Sequence, residues 1–425
     1  MGWPTFLSIP FPFYHFLPEN SPGAKIFRYT LIRLLEKSGD LFMHNQKWLS
    51  LNFFAFFFTW GVFLPYWTGW LTNEKGLSVS AASVIMGTGM VARSLSTLFF
   101  FPLLTRLFSL GRLMQILAIA SFIVMALYIP ANSYTLLFII TFAFSFIYPN
   151  LLPAMESGAT VLMQTDRIHY GKSRSYGSLG YTIALLIVGA ATAVWQENAI
   201  LWIMLLGLLF MAVTQSLASP VPLQSRPAPR TKKGPSATAE LLKSKGFLTV
   251  LVVSILLQGA HAAYYNYGFI YLQDIGVNSF YIGLILNVAV IFEIVFFVKA
   301  DTLFEKWSVS SMFLLAGIGS TVRWVLIFLF PSVWVFILAQ TLHALSFGVA
   351  HFAFIRYIFK KLDPVNIPAA QGMYAALGMS LSVALLTFAG GYLYEIAPGY
   401  SFLGMAASSF PAVVLVLLTR KRFAY

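Results

Sequence analysis

The sequence predicts an all-α membrane protein, with twelve transmembrane helices in two pseudo-symmetric six-helix bundles. Three observations predict it. Of 425 residues, 59% are hydrophobic and 10% charged, whereas a soluble domain carries about a quarter charged residues. Apolar windows of about 20 residues, the length that crosses ~30 Å of hydrocarbon, recur along nearly the whole chain. A basic, proline-rich stretch divides those windows six and six.

In order, the windows are 48–71, 80–105, 111–130, 134–163, 173–195, 198–218, 247–273, 279–300, 309–330, 332–358, 367–394 and 399–419. Most connections are so short that neighbouring helices must run antiparallel. The segment 219–246, with Pro220, Pro222, Pro227, Pro229 and Pro235 among its lysines and arginines, reads as a flexible cytoplasmic linker. It separates bundles at 43–218 and 247–425. Upstream, Pro4, Pro10, Pro12 and Pro18 exclude a continuous spanning helix. No basic region precedes the apolar one there, as a signal peptide requires. Met43-His44-Asn45-Gln46-Lys47 reads as a natural start, so 1–42 is expected to be an unstructured extension or a gene-start artefact.

The basic residues set the orientation. With the N-terminus inside, the cytoplasmic connections hold Arg106, Arg112, Arg167, Lys172, the cluster within 226–245, Lys299, Lys306, Lys360 and Lys361. The tail adds Arg420, Lys421 and Arg422, and the opposite connections hold Lys75 alone. That distribution satisfies the positive-inside rule and puts both termini in the cytoplasm. It also accounts for the net charge of +13 through contact with anionic lipid, so no nucleic-acid partner is implied. The absence of cysteine excludes disulfides, a thiolate metal site and a cysteine nucleophile. No glycine-rich phosphate loop or nucleophile constellation appears, so no enzyme, cofactor or metal is expected.

The halves repeat. Gly76-Leu77-Ser78 matches Gly276-Val277-Asn278, and Tyr176-x-x-Leu179-Gly180 matches Tyr374-x-x-Leu377-Gly378. Charges inside the spans follow the same period: Arg93 and Glu293 are 200 positions apart, as are Glu156 and Arg356. Hydrocarbon penalises such side chains by several kcal/mol unless they face a partner or water. They therefore mark a polar pathway between related halves, as in a transporter.

The candidate site residues follow. Gln258, His261 and Tyr265 fall at i, i+3 and i+7 of the seventh span and are expected to line a central cavity; Tyr264 and Tyr267 are weaker candidates. Glu293, Arg323 and His351, on spans eight to ten, are expected to form a proton-coupling group in which the carboxyl exchanges an arginine for a proton. His343 lies roughly 80° from His351 around an α-helix, so both can face one cavity. Arg356 is expected to snorkel toward headgroups. Arg93, Glu156 and Arg174 are assigned to substrate binding.

Twelve spans, duplicated halves and a basic central loop resemble the major facilitator superfamily. Gly171-x-x-Arg174-x-x-Gly177-x-x-Gly180, with Glu156 upstream, resembles the lactose permease pattern, which implies a Glu156–Arg174 pair at the substrate. A fuller resemblance is to the 3-phenylpropionate permease family. It runs through Gly61-Val-Phe-Leu-Pro65-Tyr-Trp67, Val91-Ala-Arg93, Leu256-Leu-Gln258-Gly-Ala-His261-Ala-Ala-Tyr264-Tyr265 and His351-Phe-Ala-Phe-Ile-Arg356. It implies proton-coupled uptake of an aromatic carboxylate through a bacterial inner membrane by a single chain. The stretch from Pro102 to Arg112 departs from the superfamily's gating signature by lacking its aspartate. The tenth span has no acid, unlike lactose permease, which leaves Glu293 as the leading proton carrier and Glu156 as the second. In the expected mechanism the carboxylate sits near Arg93 or Arg174 and the ring among Trp60, Phe63, Tyr66 and Tyr265. A sugar or nucleoside symporter and a drug exporter are the alternatives.

Overall fold

The computed structural model describes residues 22–166, 168–217, 219–225, 237–363 and 366–423. Among them the regular structure is helical throughout. The spans of the first half are α1 (Asn45–Glu74), α2 (Val79–Leu107), α3 (Leu110–Ala126), α4 (Tyr134–Thr165), α5 (Tyr170–Trp195) and α6 (Asn198–Ser216). Those of the second are α7 (Lys245–Asp274), α8 (Ser279–Ala300), α9 (Val309–Leu329), α10 (Val333–Lys361), α11 (Ala369–Ile396) and α12 (Pro398–Lys421). Eleven of them are long and apolar enough to cross a membrane, and α3, at 17 residues, is the shorter apolar helix. At 1.5 Å per residue α3 covers about 26 Å, and the turns through Ala131 extend it. The outward faces are apolar, with Val298, Leu206 and Trp195 at least 65% exposed, as lipid contact requires.

One boundary differs from expectation. The helix carrying the first span starts at Pro22, so the backbone of 22–42 is helical rather than unstructured. Proline is tolerated at a helix's first turn, where its missing N–H has no partner to lose. Residues 1–21, with the four upstream prolines, lie outside the described residues. The ends of the linker are docked: Leu223 and Leu241 are 1% and 2% exposed, while its middle, 226–236, lies outside the described residues.

The repeated Gly76 and Gly276 motifs are the same turn. Both glycines have positive φ (68° and 85°), the left-handed conformation that ends a helix. Val277 N–H then donates to Leu272 O (2.9 Å) and Gly276 N–H to Gln273 O (2.9 Å), closing orphan carbonyls of α7. Ser78 and Asn278 follow as N-caps, accepting from Ala81 N–H and Phe280 N–H.

The halves meet at the end that carries these turns, opposite the linker. There Asn73 Nδ2 donates to Gln273 Oε1 (3.0 Å) and Gln273 Nε2 to Glu197 Oε1 (2.7 Å). Ser80 N–H donates to Glu395 Oε1 (2.8 Å), and the hydroxyls of Ser83 and Tyr267 lie 2.9 Å apart. Packing is tight: a β-carbon on Gly283 of α8 would sit 2.1 Å from Leu185 O of α5, so only glycine admits this approach. A continuous hydrophobic core, including Tyr66, Phe269 and Leu272, joins both halves at this end. Toward the linker end the second half has a separate core built on Phe247, Met312 and Phe354. The inter-half hydrogen bonds Asn287 Nδ2 to Thr182 O (3.2 Å) and Ser94 Oγ to Ala376 O (3.0 Å) lie at mid-depth. Among the described residues no hydrogen bond joins the halves at the linker end, so the bonds between them are concentrated at the opposite end and at mid-depth.

Five spans lose α-geometry near the molecular centre. There are π-turns at Ser96–Phe100, Ala344–Val349 and Tyr374–Leu381, a 3₁₀ turn at Tyr148–Asn150, and a break at 260–261 between helical pieces of α7. Pro102 and Pro149 explain two of these, because proline cannot donate to the helical ladder. Irregular backbone at membrane depth is tolerated where protein or a cavity surrounds it, and π-turns cluster at functional sites.

Candidate functional site

A central cavity of about 270 Å³ lies between the halves. Its wall draws on α1, α2, α4 and α5 of the first half and on α7, α8, α10 and α11 of the second, which is the same set of positions in each repeat. Arg93, Arg174, Tyr265 and Glu293 of the expected site face it. Trp60 and Tyr264 face it too. Phe63 packs instead against Phe144 (5.0 Å), and Tyr66 is buried with its hydroxyl donating to Leu185 O (3.0 Å).

The two cavity arginines differ in their surroundings. Arg174 stacks on Phe57 (4.0 Å) and lies 3.8 Å from Glu156, which also accepts from the Tyr170 hydroxyl (2.8 Å). Both partners of that pair are about a third exposed, so it contributes at most about 1 kcal/mol. Glu156 itself lies outside the cavity wall. Arg93 rests over the Trp60 ring at 4.8 Å. Among the described residues it has no carboxylate or hydrogen-bond partner, so its donors are left to a ligand or to water.

Glu293 and Arg323 do not touch each other, in contrast to the expected direct exchange. His343 stands between them: Glu293 Oε2 is 3.2 Å from its Nε2, and Arg323 Nη1 is 2.9 Å from its Nδ1. A guanidinium only donates, so Nδ1 must accept and the ring proton must sit on Nε2, aimed at the carboxylate. Arg323, fully buried, also donates to Ser346 Oγ (3.1 Å) and Gln340 Oε1 (3.1 Å) and lies against the rings of Tyr264 and Trp324. The Ser346 hydroxyl meets His261 Nε2 (3.1 Å), and His261 Nδ1 donates to Leu257 O (3.0 Å). The result is one oriented chain of polar groups running from the cavity into the second bundle.

The remaining expected residues fall elsewhere. His351 pairs with Tyr374, its Nδ1 lying 3.0 Å from the phenol oxygen, and not with Glu293. Gln258 Nε2 donates to the same oxygen (2.8 Å). Gln258 and His261 are buried in helix packing rather than in the cavity wall, although His261 stays one helical turn from Tyr265, whose N–H donates to its carbonyl (3.0 Å). Arg356 does not snorkel: it donates to Phe304 O and to Glu305 O (2.6 Å), covering carbonyls just beyond α8.

Sequence reasoning left Gln340, Ser346 and Tyr374 out of the site and gave His343 a place facing the cavity but no role. The π-turn explains the histidine. It holds more residues per turn than an α-helix, which removes rotation between positions 343 and 351 and aligns His343, Phe347 and His351 with rings within 4° of parallel. The pairing of Arg323 with an acid-free tenth span was the signal available: a buried arginine needs acceptors, and Gln340, His343 and Ser346 are the ones that α10 offers.

Comparison with known proteins gives a consistent picture. The profile of the MFS_1 like family matches residues 47–403. The probable 3-phenylpropionic acid transporter of Escherichia coli K12 is 28% identical over 88% of this chain and 97% of its own. Maltose permease of Geobacillus stearothermophilus is also 28% identical, over 88% of this chain and 95% of its own. Among solved structures, the nucleoside transporter NupG superposes with a TM-score of 0.75 at 16% identity, covering 90% of this chain and 99% of that one. A POT family transporter in complex with 5-aminolevulinic acid gives 0.69 at 12% identity, over 88% and 95%; both likenesses concern the fold. Twelve apolar helices around a polar cavity are thus matched by a family profile over most of the chain, and the protein belongs to the MFS_1 like family of membrane transporters.

Proposed function

We propose that this chain is a proton-driven symporter that brings a small aromatic carboxylate, such as 3-phenylpropionate, across a bacterial inner membrane. The observation that carries the reading is Arg93, a cation with no carboxylate or hydrogen-bond partner among the described residues, in the wall of a cavity that Glu293 also lines. With both termini cytoplasmic, the linker end, where no hydrogen bond joins the halves among the described residues, faces the cytoplasm, and we read the conformation as inward-facing.

The cycle follows from the residues. In the outward-facing form the substrate carboxylate meets Arg93 while its ring lies against Trp60 and Tyr265. A proton on Glu293 neutralises the second charge in the cavity, so the occupied site can close without an unpaired carboxylate in low dielectric. After the halves rock to the present form, the proton leaves by the linker end. The carboxylate then accepts the Nε2–H of His343, which Arg323 orients from behind. Substrate departs, and the unloaded carrier returns.

The test is uptake of 3-phenylpropionate into proteoliposomes under an imposed pH gradient. Glu293→Gln is expected to abolish accumulation while preserving counterflow exchange, and unchanged uphill uptake would remove Glu293 from the coupling. The sugar alternative drew on the Glu156–Arg174 pair; with Glu156 outside the cavity wall, only Arg174 of that pair is presented to a substrate. Maltose offered as a competitor of that uptake decides it.

A further inference from the structure

Three phenol hydroxyls in the cavity wall have no role in the reading above. Tyr181 of α5 and Tyr264 and Tyr265 of α7 all line the cavity, and their hydroxyls have no hydrogen-bond partner among the described residues. Neighbouring tyrosines do have partners. Tyr66 donates to Leu185 O (3.0 Å), Tyr267 to Thr387 O (2.6 Å), and the Tyr148 oxygen lies 2.8 Å from Thr59 Oγ1.

The rings at two of these positions are held in place. Tyr264 lies under the Arg323 guanidinium (4.9 Å) and against His343 (5.5 Å), and Tyr265 stacks on His261 (5.9 Å). Phenylalanine would serve that packing, and this chain uses it about twice as often as tyrosine, 41 residues against 20. Packing therefore does not require tyrosine here. Hydroxyls without a protein partner are left to water or to a ligand group that replaces that water. A phenol both donates and accepts, so its natural complement is a group that does the same.

We infer that Tyr181, Tyr264 and Tyr265 form a subsite for a hydroxyl on the substrate's ring, which makes the transported class ring-hydroxylated aromatic carboxylates. This rests on the aromatic-carboxylate reading and narrows it. Arg93 takes the carboxylate, and the hydroxyls of Tyr181, Tyr264 and Tyr265 meet a hydroxyl carried on the ring. A site with hydrogen-bonding groups built to meet a substrate hydroxyl rejects the analogue that lacks it. In a cavity open to water, one such bond corresponds to about tenfold in affinity.

The experiment measures binding to the purified full chain of 3-phenylpropionate, of the meta and para isomers of hydroxyphenylpropionate, and of maltose. At least one hydroxylated isomer is expected to bind about tenfold more tightly than the bare acid. Tyr→Phe at the contacting position is expected to bring that isomer down to the level of the bare acid. Thermal unfolding of each variant monitors folding, and the three single substitutions are read alongside the triple. Equal binding of all three acids by the unsubstituted chain, or a preference that survives the triple substitution, overturns the subsite. Binding of maltose with no binding of any acid overturns the carboxylate reading itself, a separate and recognisable failure.

Discussion

Substituting Arg93 by glutamine tests the proposed anion site most directly, because among the described residues no carboxylate pairs with this guanidinium. Its contact in the present form is the Trp60 ring at 4.8 Å, a cation–π interaction that contributes about 0.5–1 kcal/mol at a hydrated site. That contact exists with or without ligand and largely cancels in binding. What the substitution removes is a charge-assisted hydrogen bond to the substrate carboxylate, about 1.5–3 kcal/mol. At ~1.4 kcal/mol per factor of ten, the Kd for 3-phenylpropionate is expected to rise about 10- to 150-fold. The uncharged amide of the same acid provides the control: its affinity is expected to change little between the unsubstituted chain and Arg93→Gln. Arg93→Lys keeps the charge but loses the planar fork, so it is expected to fall between them. Isothermal titration of the four protein–ligand combinations forms a cycle that isolates the charge–carboxylate coupling. If acid and amide lose affinity equally, Arg93 acts through packing rather than on the anion, and the argument fails.

Other outcomes follow from the relay and the end opposite the linker. His343→Leu leaves Glu293 and the buried Arg323 each short of a partner, and it is expected to lower stability by about 1–3 kcal/mol. His343→Gln can still donate to one and accept from the other, so thermal unfolding in detergent is expected to show a smaller loss; equal unfolding temperatures for all three proteins would contradict the bridging geometry. Gly283→Leu forces a side chain against Leu185 O at the end opposite the linker and is expected to part α5 from α8. Since the chain has no cysteine, Ser83→Cys serves as a clean maleimide reporter there. Its labelling is expected to rise when Gly283→Leu is added, and an unchanged rate would show that this approach does not hold the end shut.

The legible and illegible parts of the site differ for a definite reason. Arg93 and Glu293 were identifiable because a charge in a span must face the interior, and both face the cavity. The duplicated turns were identifiable because a left-handed glycine followed by an N-cap is a local pattern. Gln258 lies beyond the break at 260–261, which an uninterrupted α-period does not include, and the His261 ring is taken up by Leu257 O and Ser346 Oγ inside the bundle. The spacing admits His343 and His351 to one cavity, but which of them meets Glu293 depends on the π-turn between them. Tyr265 was legible from its place on the polar face of the seventh span, whereas Tyr181 carries no signal among so many aromatic residues.

Hydropathy and charge placement alone determined the number of spans, their division into two halves and the presence of a polar path between them. Those properties are local, since the bilayer requires each segment to satisfy its own backbone and to hide its own charges. Which polar atoms meet was decided only by the folded bundle. Each irregular turn rotates everything beyond it, and such rotations decide whether a histidine reaches a carboxylate or a tyrosine. Which end carries the bonds between the halves was likewise settled by the docking of one half on the other, through contacts between residues as much as 315 positions apart.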